Sequence, residues 1–316
     1  MLLNVIILII GFIVLVKGAD LFVDAASSLA SNFHISKMLI ALTIVAFGTS
    51  APEFAVSIKS MLSKSGDIVL GNVIGSNILN ILLILGVSSC IHTLTVKNAT
   101  VKKELPITIL ISTLLIVLLS DNLLSGAKAN SLTRSDGVVI VLFFLVFVYY
   151  LLTVMRNKID EKEDKPKFSI IKSIIFTLIG IVCLILGSNA VVDSASYIAK
   201  ALGVSERMIA LTIIALGTSL PELVTSVVAT TKGEYDIAIG NVVGSNIFNI
   251  GIVLGVPLII FGSITSITFN YIDLFALFIS AFLLFIFSYN DYKISRKEGL
   301  TFLVIFIIYY AFVIMG

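Results

Sequence analysis

The sequence predicts an all-α integral membrane protein of ten transmembrane helices, arranged as two inverted-topology repeats of five, with discontinuous helices in spans 2, 3, 7 and 8. Three observations predict this. Of the 316 residues, 58% are hydrophobic and only 13% charged, with a mean hydropathy of +1.13, whereas about a quarter of an ordinary soluble domain is charged. Apolar runs near the ~20 residues that a helix needs to cross a bilayer recur along the whole length, unlike the alternating ten-residue segments of an outer-membrane barrel. The chain is also written twice: a displacement of 169 residues brings "SKMLIALTIVAFGTSAPEFAVS" (36–57) onto "SERMIALTIIALGTSLPELVTS" (205–226). The same displacement brings "DIVLGNVIGSNILNILLILGV" (67–87) onto "DIAIGNVVGSNIFNIGIVLGV" (236–256), and Gly11, Gly18 and Asp24 onto Gly180, Gly187 and Asp193.

Spans are expected near 2–27, 36–59, 67–90, 104–120 and 135–155, then 170–198, 205–231, 236–260, 271–288 and 298–315. This divides the chain into an N-terminal repeat (1–155), a linker (156–168) and a C-terminal repeat (169–316). Because five is odd, the second repeat enters the membrane from the opposite side, an arrangement common in secondary transporters. The first span lacks a basic leader and carries Lys17 and Asp20 well inside it, so it reads as a retained span rather than a cleaved signal. Asp24 and Asp193, near helix ends, read as caps or as residues that solvate the interface.

The second span, "ALTIVAFGTSAPEFAVSIKS" (41–60), carries the informative break. Pro52 has no N–H and clashes with the preceding turn, so the helix should open around Gly48 to Ala51 and free carbonyls near Ala46 and Phe47. Pro52 and Glu53 then start a second half-helix, where proline suits the first turn. Thr49, Ser50 and Glu53 share a face by their spacing of three and four. The third span adds Asn72, Ser76 and Asn80 at intervals of four. The linker "RNKIDEKEDKPKF" mixes charge signs and contains a proline, as a solvated hinge would. In the second repeat, Thr218, Ser219, Pro221 and Glu222 restate the break, and Asn241, Ser245 and Asn249 restate the polar face. "GNVIG" and "GNVVG" also fit the small-residue faces that let membrane helices approach.

Of the 21 Lys and Arg, 14 fall in the loops after spans 1, 3, 5, 7 and 9, six on the other side, and Lys17 within span 1. The positive-inside rule then puts the linker in the cytoplasm and both termini outside, in the cytoplasmic (inner) membrane. A net charge of +2 with no basic face argues against nucleic acid as a partner. Cys90 and Cys183 have no metal-ligand spacing and read as small apolar residues, and His34 and His92 sit in or near loops. No HExxH or GxSxG pattern suggests an enzyme, and no cofactor is implied.

Two carboxylates, hydroxyls, amide oxygens and freed carbonyls form an all-oxygen donor set, which suits hard cations such as Ca²⁺, Na⁺ or Mg²⁺. A charge at the bilayer centre costs roughly 2.5–3.5 kcal/mol on insertion scales. These four spans have no Lys or Arg at that depth, so metal cations or protons must compensate the glutamates. Two negative charges balance one divalent ion or two monovalent ions. Occupancy is then mutually exclusive, which is the basis of antiport.

"GTSAPE" with "GNVIGSNILN", and "GTSLPE" with "GNVVGSNIFN", resemble the paired alpha-repeats of the sodium/calcium exchanger family, within the calcium/cation antiporters. The resemblance covers essentially the whole chain. It implies that Glu53 and Glu222 are shared Ca²⁺ and Na⁺ ligands, supported by Thr49, Thr218 and the carbonyls of Ala46 and Ala215. It further implies that Ser50, Ser219, Ser76 and Ser245 complete flanking Na⁺ sites around Asn80 and Asn249, and that spans 1 and 6 slide across the rest. No large regulatory domain is expected, as in the prokaryotic type, and no obligate protein partner. Some relatives have aspartate at one of the two central positions. The amides at 80 and 249 argue against potassium co-transport of that kind. Exchange coupled to H⁺, or serving another divalent cation, is the alternative that the residues leave open.

Overall fold

The computed structural model describes residues 1–126, 129–156, 165–204, 209, 212–213, 215–267 and 271–315. Most of the linker, and the start of the span expected at 205–231, lie outside the described residues. Among the described residues, seven helices are long and apolar enough to cross a membrane. An eighth span is a pair bent by 46°, Lys37–Thr49 and Ala51–Leu62.

The helices are α1 (Leu2–Phe33), α2 (Lys37–Thr49), α3 (Ala51–Leu62), α4 (Gly66–Ile91), α5 (Leu105–Leu118), α6 (Arg134–Arg156), α7 (Ile170–Ala201), α8 (Leu220–Thr231), α9 (Tyr235–Phe261), α10 (Tyr271–Asp291) and α11 (Arg296–Met315). Two of the ten expected spans are not among these eight: the fourth begins in a charged turn, and the seventh lies partly outside the described residues. The fourth is the 14-residue α5 after a π-helical turn, Thr100–Glu104, that carries Lys102 and Lys103. The seventh is described mainly through the 12-residue α8 and the short helix Ala215–Gly217 before it.

The breaks differ from expectation in spans 3 and 8. α2 and α3 do part at Ser50, and Ala215–Gly217 parts from α8 at Thr218 and Ser219, each where a proline follows. α4 and α9, expected to be discontinuous, run on as single helices. Each instead contains a π-helical segment, Asn80–Leu85 and Asn249–Leu254. A π-turn inserts a residue and re-aims the side chains without ending the helix, a device frequent at functional sites.

α4 and α9 are the most deeply buried helices, while α1, α6, α7 and α11 turn most of their apolar surface outward. That surface is what a helix facing lipid tails should present. α1 and α7 pack along one another because glycine removes the side chain at each crossing. A Cβ on Gly187 would meet the Leu15 nitrogen at 2.8 Å and the Gly11 carbonyl at 3.0 Å, both main-chain atoms that cannot step aside.

The two sequence halves interlock at both ends of the bundle. Strand β1 (Leu94–Thr95), after α4, pairs antiparallel with β4 (Lys293–Ile294), before α11. Strand β2 (Asn130–Leu132) pairs antiparallel with β3 (Ile264–Ile267). Glu104 accepts from the Tyr150 hydroxyl, and Asp273 accepts from Tyr309 at 2.7 Å, so each half also ties an acid near one helix start to a tyrosine on a later helix.

Ion pairs gather at the end where α9 begins. Lys232 reaches Asp20 at 2.8 Å and Asp24 at 2.6 Å on α1, and Lys37 reaches Glu234 at 2.9 Å. Ser27 of α1 donates to Glu234 at 3.0 Å. Asp24 also pairs with Lys167 ahead of α7, and that contact holds the Lys167 ammonium above its ordinary range. Asp24 is therefore a charge anchor at the interface rather than a cap.

Candidate cation site

The site forms where the two proline breaks meet α4 and α9. Pro52 and Pro221 lie in the first turns of α3 and α8, so Glu53 and Glu222 follow in the same turns, at the positive end of each half-helix. Both glutamates are wholly buried. Side-chain amides brace these turns: Asn72 donates to the Glu53 main-chain oxygen at 3.1 Å, and Asn241 donates to that of Glu222 at 3.3 Å. Asn241 also donates to Ser226 at 2.9 Å.

The carboxylates are held across the repeats. Ser50, from the first half, donates to Glu222 Oε1 at 2.9 Å, and Ser219, from the second, donates to Glu53 Oε1 at 3.3 Å. Ser76 of α4 and Ser245 of α9 add longer contacts to the same two atoms, at 3.5 and 3.4 Å. Thr218 lies against Glu53 and Thr49 against Glu222, and the two carboxylates are near enough for their charges to repel. Thr49 Oγ1 lies 3.0 Å from Asn241 Oδ1 and 3.4 Å from Ser245 Oγ, and Ser219 Oγ lies 3.2 Å from Ser76 Oγ. The structure thus brings together Thr49, Ser50, Glu53, Ser76, Thr218, Ser219, Glu222 and Ser245. Asn80 and Asn249 lie one helical turn beyond Ser76 and Ser245 on α4 and α9, both fully buried.

Two expectations about this site need amendment. The Ala46 carbonyl is not freed by the break: it accepts the Ser50 N–H at 3.0 Å and lies 3.4 Å from the Thr49 hydroxyl. Pro52 deprives the carbonyl four residues before it, which is that of Gly48. Ala215 opens the short helix that precedes the second break. The second amendment is an omission. Asn77 and Asn246, which follow the two site serines, hydrogen-bond to the opposite helix and to the central amides. Their signal in the sequence was a polar residue three positions before each central asparagine, present in both repeats.

Of the buried side-chain oxygens without a hydrogen-bond partner among the described residues, four are acceptors of this site: Glu53 Oε2, Glu222 Oε2, Asn80 Oδ1 and Asn249 Oδ1. Among the described residues no Lys or Arg pairs with either glutamate. Buried acceptors are ordinarily satisfied, and a buried carboxylate ordinarily has a counter-charge. Acceptors lacking both are matched by a cation with oxygen preference.

The sodium/calcium exchanger protein family matches residues 3–153 and 172–315. The chain is 38% identical to the putative antiporter CaxA of Alkalimonas amylolytica over 325 residues, covering 98% of both. It is 30% identical to the sodium/calcium exchanger MaX1 of Methanosarcina acetivorans, covering 99% of this chain and 98% of that one. A solved structure of the sodium-calcium exchanger NCX_Mj, soaked with Na⁺, is similar at a TM-score of 0.85 and 32% identity, over 98% of both chains. Near-complete coverage in sequence and in fold, around two glutamates lacking a protein counter-charge, shows that this multi-pass membrane protein belongs to the sodium/calcium exchanger family of cation antiporters.

Proposed function

We propose that the protein exchanges Ca²⁺ for Na⁺ across the cytoplasmic membrane by alternating access. The observation that carries this reading is the pair of buried glutamates, each with one oxygen lacking a partner and neither with a basic neighbour among the described residues. Their two negative charges balance one Ca²⁺ or two Na⁺, so the two cargoes exclude one another at the shared carboxylates. Thr49, Thr218 and the Ala46 and Ala215 carbonyls support that shared centre. Ala46 keeps a lone pair for this, because a carbonyl oxygen has two. Ser50, Ser76, Ser219 and Ser245 serve flanking Na⁺, with Asn80 and Asn249 between them.

In this reading the chain crosses the membrane ten times in two inverted halves, with both termini outside and the linker in the cytoplasm, as the lysine and arginine distribution favours. The packed pair α1 and α7 slides over the remaining helices to expose the site to one side at a time. Glycine at their mutual crossing lets them travel as one body.

The test is uptake of radioactive Ca²⁺ into proteoliposomes loaded with Na⁺ and diluted into Na⁺-free buffer, against vesicles with equal Na⁺ on both sides. Uptake that requires the outward Na⁺ gradient is the expected result. Uptake driven by a pH gradient and indifferent to Na⁺ would replace Na⁺ with H⁺ as the counter-ion. Flux that ignores every counter-ion gradient would make the protein a channel.

A further inference from the structure

The two central asparagines, Asn80 and Asn249, can meet a cation in two opposite ways. An amide presents an acceptor oxygen at one end and a two-proton donor at the other, and only the oxygen attracts a cation. Something has to choose the end, and the hydrogen bonds between α4 and α9 make that choice in three steps.

The chain of bonds starts at main-chain carbonyls, which can only accept. Asn77 Nδ2 donates to the Asn246 main-chain oxygen at 3.1 Å, and Asn246 Nδ2 donates to the Asn77 main-chain oxygen at 3.2 Å. Each of these amides is therefore fixed with its nitrogen against the opposite backbone. Their oxygens then receive the next amides: Asn77 Oδ1 accepts from Asn249 Nδ2 at 3.1 Å, and Asn246 Oδ1 accepts from Asn80 Nδ2 at 2.9 Å. The nitrogens of Asn80 and Asn249 are thereby occupied. Their oxygens are left over, buried and without partners. Reversing either central amide would set oxygen against oxygen at Asn77 or Asn246 and turn N–H groups inward. All four asparagines are at most 2% exposed, so water cannot substitute for a lost bond.

We propose that Asn77 and Asn246 are positioning residues that fix the polarity of the ion site, each holding the central asparagine of the other repeat with its oxygen toward the cargo. The assignment is crossed: Asn77 orients Asn249, and Asn246 orients Asn80. It rests on the reading that the Asn80 and Asn249 oxygens face the transported cation. Second-layer partners of this kind are typically worth about ten- to a hundredfold in metal affinity.

The crossing makes the proposal testable by a rescue that a merely structural role would not produce. A carboxylate has an acceptor at both ends, so aspartate at position 249 needs no orienting partner. Equilibrium binding of radioactive Ca²⁺ to the purified full chain is expected to weaken about tenfold or more in Asn77→Ala. Adding Asn249→Asp should restore it, whereas adding Asn80→Asp should not. Asn77→Asp keeps an acceptor for the Asn249 amide in either protonation state. It should stay within about threefold of the parent, and it serves where Asn77→Ala does not purify as a monodisperse species. Unchanged binding in Asn77→Ala, equal rescue by Asn80→Asp, or a loss in Asn77→Asp as deep as in Asn77→Ala would each overturn the proposal. Glu53→Gln in the same assay separates the two readings. If it binds Ca²⁺ like the parent, the site itself is misassigned; if it loses binding while Asn77→Ala does not, only the positioning role falls.

Discussion

Gly71 and Gly240 hold the same place in the two repeats, as do Gly75 and Gly244, yet their surroundings differ. A Cβ on Gly240 would meet Ala41 at 2.5 Å, and one on Gly244 would meet Ala46 at 2.7 Å, so α2 lies directly on α9. At Gly71 and Gly75 no described residue comes within 4 Å of that position on α4. Asn241 is wholly buried beneath the closed contact, whereas its counterpart Asn72 is half-buried. Among the described residues, then, α9 is covered over the site by α2, and α4 has no such cover at Gly71 and Gly75. A duplicated sequence thus writes the candidate site residues twice, while their described surroundings are unequal.

The ion pairs follow the same division. Lys232, Glu234 and Lys37 lie at the closed end and bind α1 there. In sequence register with Lys232, Glu234 and Lys37 stand Ser63, Ser65 and Glu206, and Asn189 stands in register with Asp20. Serine in place of Lys232 and Glu234 cannot form those pairs. Among the described residues, these pairs form a latch that holds α1 and α2 against the start of α9, which is the covered end.

The largest expected effect tests whether the glutamates are equivalent despite this asymmetry. Glu53→Gln and Glu222→Gln should each reduce exchange by about a hundredfold or more, since a direct ligand outweighs the partners behind it. Normal exchange in one of the two would end the shared-centre reading. Acidification is the next test. Protons compete for the same carboxylates, and a protonated carboxyl no longer offsets a bound cation, so Ca²⁺ uptake should fall about tenfold between about pH 8 and about pH 5. A flat profile would count against carboxylate ligation.

The glycines sharpen the comparison of packing. Gly240→Ala forces a methyl into Ala41 and should lower stability by about 1–3 kcal/mol, read from thermal unfolding in detergent. Gly71→Ala meets no described neighbour and replaces the poorer helix former, so it should be neutral or stabilising by up to about 1 kcal/mol. Equal losses in both would mean that α4 is covered at Gly71 as α9 is at Gly240. The smallest effect concerns the latch. Lys232 retains 23% side-chain exposure, so solvent screening holds its contribution to about 1 kcal/mol or less. Lys232→Met should shift the balance of the two states up to about fivefold, read as faster labelling of a cysteine introduced by Ala238→Cys with an impermeant thiol reagent. Ser63→Met should leave that rate unchanged.

Much of the site was legible because a proline, a carboxylate and two hydroxyls within five residues conflict with the apolar helix around them. That conflict, repeated at 169 residues, singles out Glu53, Glu222, Thr49, Thr218, Ser50 and Ser219 as candidates and places the first break between Gly48 and Ala51, where the structure has it at Ser50. Asn77 and Asn246 escaped because helical spacing was followed along the face of Ser76 and Asn80, and the next residue points about 100° away. Their role depends on which helix lies opposite, and local periodicity does not report that. The continuity of α4 and α9 was hidden for a related reason: a π-turn has no breaker residue to announce it. The helix of the fourth span starts before the expected position 104, because the charged π-turn Thr100–Glu104 is continuous with α5. The ion latch was visible as letters that differ between the repeats, but its partners on α1 lie more than 200 residues away in sequence.

The paired strands constrain how the chain can be made. β1 leaves the ribosome about 200 residues before β4, which at roughly 5–20 residues per second is a wait on the order of 10–40 s. β2 waits in the same way for β3. During that interval the first half sits in the membrane with Asn77 and Asn80 facing no partner, and neither strand pair can form. The halves repeat one another in sequence, yet each supplies one strand of both pairs. The strand pairs and the asparagine bonds between α4 and α9 can therefore form only after the second half has been made.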